Sequence, residues 1–132
     1  APKLNNFVAV VKQREWDNVV TCHEGSSKAY SWRKEHFTLG KHVFYSKGPE
    51  RGSPITAVAL SSCGNFALIG SQSGWVDKYN LQSGMHRGSY SESAHDGAVQ
   101  GLAVDLLNKI LISASLDGTI KVIQLKSNNT NI

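Results

Sequence analysis

The sequence predicts an all-β fold built from repeated propeller blades, and three observations carry that prediction. Residues 55–81 lie on residues 99–125 at a constant offset of 44 with no gap. Their apolar positions fall in phase: Ile55/Val99, Val58/Leu102, Leu60/Val104, Phe66/Ile110, Leu68/Ile112 and Val76/Ile120 stay apolar, while Ser73-Gly74 and Asp117-Gly118 both supply a turn. A period of about 40–45 residues, with short strands and glycine turns in each copy, is that of β-propeller blades of the WD type. Helical periodicity is missing over any useful length. Only Ala59/Ala103, Ser71/Ser115, Gly74/Gly118 and Leu81/Leu125 are identical, so the repeat preserves strands and a hairpin, not a reactive group.

The elements follow from alternation and punctuation. In the first, eroded copy, residues 7–11 and 19–23 are apolar strands joined by a polar turn, residues 28–33 make a third strand, and 37–45 an outer one. Trp32 then falls where Tyr79 and Ile123 fall. Residues 46–54, dense in Gly, Pro and charge, form the loop between blades. In the second copy residues 55–60 alternate, 61–65 turn, 66–70 return, 71–74 turn again and 75–81 make the third strand. Residues 86–91 supply an outer strand, polar because it faces solvent. The third copy runs 99–105, 110–115 and 119–125 and stops before its outer strand. The organisation is therefore a blade at 1–45, a loop at 46–54, a blade at 55–91, an incomplete blade at 92–125, and a polar tail or linker at 126–132.

Three copies are too few to close a propeller of four to eight blades, so the chain is expected to be part of a larger one. The opening Ala1-Pro2-Lys3-Leu4 has no initiator Met, apolar signal core or cleavage pattern, in keeping with an internal start. No run approaches about 18 apolar residues, and the expectation is a soluble, intracellular protein that contacts no membrane. Fourteen Lys and Arg against ten Asp and Glu give +4, a mild excess that suits an RNA-rich neighbourhood and equally a solvated basic surface. Cys22 and Cys63 are too few for a disulfide framework and read as free thiols, Cys22 in the core. Asn128-Asn129-Thr130 matches a glycosylation sequon, but in a polar tail without a secretory signal it reads as chance.

The third copy carries His95-Asp96-Gly97 ahead of its first strand, Ser113 on the second, and Asp117 in the next hairpin. This resembles the WD-repeat network in which a loop His, a turn Asp, a strand Ser or Thr and a strand Trp are hydrogen-bonded. Ile123 and Gln124 stand where the Trp-Asp dipeptide belongs, which leaves a His95, Ser113 and Asp117 trio. The same residue types would serve a hydrolase, yet catalysis needs an exposed nucleophile and an oxyanion hole, and these positions are expected to lock a blade edge. Gly70-Ser71-Gln72-Ser73-Gly74 puts Gln where a nucleophile elbow needs Ser. Gly40-Lys41-His42 resembles the end of a phosphate loop, but Glu35 replaces the earlier glycine and His42 the hydroxyl. The histidines and cysteines lack metal-ligand spacing, so no metal, cofactor or small-molecule substrate is expected. Arg33, Lys34, Lys41, Lys47, Arg51 and Arg87 are the candidate RNA or partner contacts, since some sit near Trp32 and Tyr90. Trp75, beside a glycine turn, is expected to pack against the neighbouring blade.

The run from Ser62 to Gly70, followed by Ser73-Gly74-Trp75-Val76-Asp77-Lys78-Tyr79-Asn80-Leu81-Gln82-Ser83-Gly84-Met85-His86-Arg87-Gly88-Ser89-Tyr90, is more particular than a generic blade. With Trp16-Asp17-Asn18-Val19-Val20-Thr21-Cys22-His23 and the segment from Ala94 to Asp105, it resembles the WD-repeat proteins associated with U3 small nucleolar RNA in the small-subunit processome. That resemblance covers nearly the whole chain. It implies a non-enzymatic nucleolar assembly factor with two consecutive propellers and a helical C-terminal region, of which this chain is a few blades of the second. It also implies other propeller subunits of a processome subcomplex and the pre-ribosomal particle, with U3 small nucleolar RNA and pre-rRNA, as partners. The competing expectation is a WD-repeat adaptor of a ligase or coat, which would bind defined peptides instead.

Overall fold

The computed structural model describes residues 4–10, 19–33, 38–90 and 95–125, which form eleven strands and, among the described residues, no helix. Strands β1 (Leu4–Val10), β2 (Val19–His23), β3 (Ala29–Arg33) and β4 (Thr38–Phe44) pair in that order as one antiparallel sheet. Strands β5 (Ile55–Leu60), β6 (Phe66–Ser71), β7 (Val76–Asn80) and β8 (His86–Ser89) make the second. Strands β9 (Val99–Val104), β10 (Ile110–Ser115) and β11 (Ile120–Gln124) make a three-stranded third. The architecture is that of consecutive propeller blades, each a meander whose first strand lies innermost.

The repeat is visible in the register. The ladder slips between Ile55 and Ala57 opposite Ser71 and Gly70, and again between Ala114 and Ser115 opposite Gly101 and Val99. Both inner strands thus enter their sheets through a bulge at the same position, which bends the strand where it leaves the inter-blade loop. The first hairpins are pinned by side chains suited to turns. Ser61 Oγ accepts the Phe66 amide at 3.0 Å, and Asp105 Oδ1 accepts the amides of Lys109 at 2.7 Å and Ile110 at 2.9 Å. Those bonds hold the Asp105 carboxyl below its ordinary pKa, the Ile110 amide first.

Two apolar layers separate the three sheets. Val20, Cys22, Ala29 and Phe44 of the first sheet meet Ile55, Val58, Ala67, Ile69, Tyr79 and Leu81 of the second. Ala57, Ala59, Leu68, Val76 and Tyr90 of the second region meet Val99, Leu111 and Leu125 of the third. Strand β6 is apolar at successive positions because it is covered on both faces: Ala67 and Ile69 point one way, Leu68 the other. Gly70 lets the third sheet come close, since a Cβ there would lie 2.6 Å from Val99 Cγ1. The far face of the third sheet has no such cover among the described residues. Ile120 and Val122 are 70% and 68% exposed, Ile112 42%.

Candidate functional site

Among the described residues, polar side chains that could do chemistry gather into three hydrogen-bonded networks, one per blade. In the third, His95 Nε2 is 2.8 Å from Ser113 Oγ and His95 Nδ1 is 2.9 Å from Thr119 Oγ1. The Thr119 hydroxyl donates to Asp117 Oδ1 at 2.5 Å, and Asp117 Oδ2 accepts the Asp96 amide at 3.0 Å. Hydrogen polarity can be assigned from the carboxylate, which only accepts. Thr119 therefore donates to Asp117 and accepts from His95 Nδ1–H, leaving His95 Nε2 to accept the Ser113 hydroxyl. The Thr119 hydroxyl first, then backbone amides and the nearby His95, hold the Asp117 carboxyl well below the usual carboxylate range. Ser113 is 0% exposed, so as placed its oxygen meets no substrate, and the arrangement ties a hairpin to a loop.

The first sheet holds a different fraction of that network. Trp32 Nε1 donates to Thr21 Oγ1 at 2.8 Å, and Thr21 Oγ1 lies 3.3 Å from His23 Nε2. Thr21 pairs with Tyr30 as Ser113 pairs with Lys121, so Thr21 and Ser113 hold equivalent positions. The first blade keeps the Trp–Thr end of the WD network and the third keeps the His–Ser–Asp end. Thr21 and Thr119 escaped the sequence reading because an isolated threonine carries no spacing signal, although the position of Trp32 pointed to a partner on β2.

The second blade has Ile69 and Tyr79 at these places and builds something else. Asp77 is 0% exposed. Its Oδ1 accepts Ser89 Oγ at 2.5 Å and His86 Nε2 at 2.9 Å, and its Oδ2 accepts the Lys47 amide at 3.1 Å. One carboxylate thereby holds β8 onto β7 and the inter-blade loop onto both. Tyr79 lies beside it, with its ring 4.7 Å from Phe44 and its hydroxyl donating to Tyr45 O at 2.6 Å. Burial pushes the Tyr79 phenol up to about 12 and that of Tyr90 higher still. Tyr90 donates to Leu125 O at 2.6 Å, which ties the end of β8 to the third sheet. Lys78 Nζ sits 4.9 Å over the Phe66 ring, and burial, then Arg87, lowers its pKa.

The basic candidates do not converge. Lys47 and Arg51 lie on the loop between β4 and β5, Arg33 ends β3 at the opposite end of the first sheet, Lys41 is on β4, and Arg87 is on β8. Lys34 lies outside the described residues, as does the sequon. Trp75 packs on the inter-blade loop: a Cβ at Gly48 would lie 2.6 Å from Trp75 Cγ. Neither Cys22, which is buried, nor Cys63, which is half-buried, is in a disulfide. Among the described residues no group of three His, Cys, Asp or Glu could hold a metal ion, and no helix is long and apolar enough to cross a membrane.

Three meander sheets with WD-type remnants define propeller blades, and comparison with known proteins makes the class specific. The chain belongs to the family of the WDR36/Utp21 second β-propeller domain, whose model matches residues 2–131. It is 38% identical over 129 residues to WD repeat-containing protein 36 of Homo sapiens, covering 96% of this chain and 14% of that protein. It is 43% identical over 111 residues to U3 small nucleolar RNA-associated protein 21 homolog of Schizosaccharomyces pombe, covering 83% of this chain and 12% of that protein. U3 small nucleolar RNA-associated protein 21 of Saccharomyces cerevisiae is 35% identical over 106 residues, 80% of this chain and 11% of that protein. The chain thus spans about a seventh or less of the curated relatives it matches.

Proposed function

We propose that these blades belong to a non-catalytic scaffold subunit of the small-subunit processome, which acts in the nucleolus in pre-rRNA processing and small ribosomal subunit assembly. The observation that carries the reading is the family match over residues 2–131, joined to relatives named for association with U3 small nucleolar RNA. The side chains support a scaffold: His95, Ser113, Asp117 and Asp77 are engaged in holding loops and outer strands in place. A rigid ring that presents loops on two faces and a circumference can seat several partners at once.

The partners in this reading are other propeller subunits of the subcomplex and the pre-ribosomal particle with its U3 small nucleolar RNA and pre-rRNA. Because Lys47 and Arg51 sit at one end, Arg33 at the other, and Arg87 on an outer strand, the proposed contacts are spread around the blades instead of forming one groove. The test is a salt-controlled pull-down of the full-length parent protein, with sequencing of bound RNA and mass identification of bound proteins. Enrichment of U3 small nucleolar RNA, pre-rRNA and propeller proteins is expected. Recovery of ligase or coat subunits without RNA would replace this reading with the adaptor one.

A further inference from the structure

Of the five aspartates in the chain, Asp96 and Asp117 are the two that directly precede a glycine. At such a step the side-chain carboxyl can react with the chain itself, because the next amide nitrogen can reach the carboxyl carbon and close a five-membered ring. Glycine, with no Cβ, leaves that approach open. Both steps belong to one network, Asp96-Gly97 in the loop before β9 and Asp117-Gly118 in the hairpin between β10 and β11. Their surroundings are opposite.

Both groups that would react at Asp117 are engaged elsewhere. Asp117 Oδ1 accepts the Thr119 hydroxyl at 2.5 Å and the Thr119 amide at 2.8 Å, and Oδ2 accepts the Asp96 amide at 3.0 Å. The Gly118 amide donates to Ser115 O at 3.2 Å. The Thr119 hydroxyl above all keeps the carboxyl ionised, and a carboxylate is a poorer electrophile than the neutral acid. Asp96 is the reverse case. It is exposed and its amide is engaged, but among the described residues its carboxylate accepts no hydrogen bond and the Gly97 amide donates none. The chain on either side is fixed, with His95 N donating to Gly74 O at 2.8 Å and Ser115 Oγ to Gly97 O at 2.9 Å.

We propose that Asp96 is a site of isoaspartate formation through a succinimide with Gly97, and that Thr119 protects Asp117 from the same reaction. The Gly97 nitrogen gives up its proton and bonds to Asp96 Cγ, while one carboxyl oxygen leaves Cγ as water. Solvent water then adds to a ring carbonyl. Addition at the main-chain carbon breaks its bond to the Gly97 nitrogen, so the chain now runs through Cβ and Cγ and the old main-chain carbon becomes a free carboxylate. Mass is unchanged from the starting aspartate, but the backbone gains one methylene between the bonds that fix His95 and Gly97. The longer loop cannot keep both the Asp96 bond to Asp117 and the Ser115 bond to Gly97, and the loop that carries His95 loosens. The product is a substrate for an isoaspartyl methyltransferase. This inference goes beyond the scaffold reading and depends on none of its partners.

The test is to age the full-length protein at neutral pH beside a short peptide that carries the 94–98 sequence. Isoaspartate is read by electron-transfer fragmentation of the digest and by methyl transfer from an isoaspartyl methyltransferase. It is expected to accumulate at residue 96 about tenfold or more faster than at residue 117, where bonds to the carboxylate must break first. Asp96→Glu, which would have to close a six-membered ring, should lose the signal at 96. Thr119→Val should raise the signal at 117 while leaving that at 96. Equal accumulation at 96 and 117 would overturn the proposal, as would an unmodified residue 96 after the peptide has converted. An unchanged rate at 117 in Thr119→Val would overturn the protective role of Thr119. None of these outcomes depends on whether the pull-down recovers U3 small nucleolar RNA, so the two readings fail separately.

Discussion

The second and third sheets are written by the same repeat, yet one is a closed interior and the other an open surface. Leu68 is buried and its counterpart Ile112 is 42% exposed; Val76 is buried and Ile120 is 70% exposed. The difference lies in what stands next door, not in the residues, for a sheet with two apolar faces needs a neighbour on each. The hairpin glycines make the same contrast at atomic scale. A Cβ on Gly74 would lie 1.9 Å from His95 O, whereas one on Gly118 would meet nothing within 4 Å. Both have positive φ, 91° and 85°.

The largest expected effect breaks that pair apart. Gly74→Ala must displace the backbone that delivers His95, and should cost about 3 kcal/mol or more by adding a steric clash to left-handed strain. Gly118→Ala carries the strain alone in this structure, about 1 kcal/mol. Both are measurable as local opening free energies by hydrogen exchange in the full-length protein. A loss at Gly118 well above the strain value is the expected result there, because a further blade would bring its own loop onto that glycine. Equal small losses at both positions would mean that the Gly74–His95 approach is relaxed in the protein.

Much of this was legible in the sequence because the periodic part of a blade is its core. The strands beginning at Ile55 and Ile110 and the turn at Ser73-Gly74 follow from alternation and glycine placement alone. The His95, Ser113 and Asp117 trio could be read because its spacing resembles a known network. Asp77 could not, for a lone aspartate in a strand announces nothing until the fold sets Ser89, His86 and the Lys47 amide around it. Trp32 and Thr21 lie eleven residues apart on neighbouring strands, a distance at which only the register reveals a bond.

Asp77→Ala is the next effect in size. It removes the acceptor of three donors inside the protein, and leaving buried donors unmet should cost about 2–3 kcal/mol. Exchange should rise along β8 and in the loop at Lys47, while β9 and β10 stay protected. The contrast with Lys121, which occupies the same place in the next repeat, sharpens the comparison. If Asp77→Lys were tolerated without loss at β8, the Asp77 carboxylate would not be what holds the outer strand.

Below these come the two halves of the WD network. Trp32→Phe keeps a six-membered aromatic ring but loses the pyrrole portion with its Nε1 donor to Thr21; Ser113→Ala removes the hydroxyl beside His95 Nε2. Each should cost about 1 kcal/mol, the usual net worth of one hydrogen bond, with Ser113→Ala somewhat higher because the His95 acceptor stays buried. Because the two lie in different sheets with no shared partner, the double variant should lose the sum. A combined loss well above the sum would show that the second blade transmits between the first and the third.

The smallest effect is the pH dependence of Asp117, and its direction is fixed by the bonds it accepts. Its folded pKa is depressed below the ordinary 3.8, first by the Thr119 hydroxyl and then by the Thr119 and Asp96 amides. A carboxyl with a depressed folded pKa contributes stability that is fully present above its unfolded value and is lost as pH falls toward the folded one. The stability difference between the parent and Asp117→Asn should therefore be flat above about pH 5 and shrink below about pH 4, where the unfolded carboxyl takes up its proton first. The group is exposed to solvent, so salt should weaken the long-range electrostatic share of this effect, while the 2.5 Å Thr119 bond persists. No such asymmetry arises at Ser73, which takes the matching place in the second blade with no charge to titrate. A difference that stayed flat down to pH 3, or that grew as pH fell, would show that the Thr119–Asp117 bond does not hold the hairpin in solution.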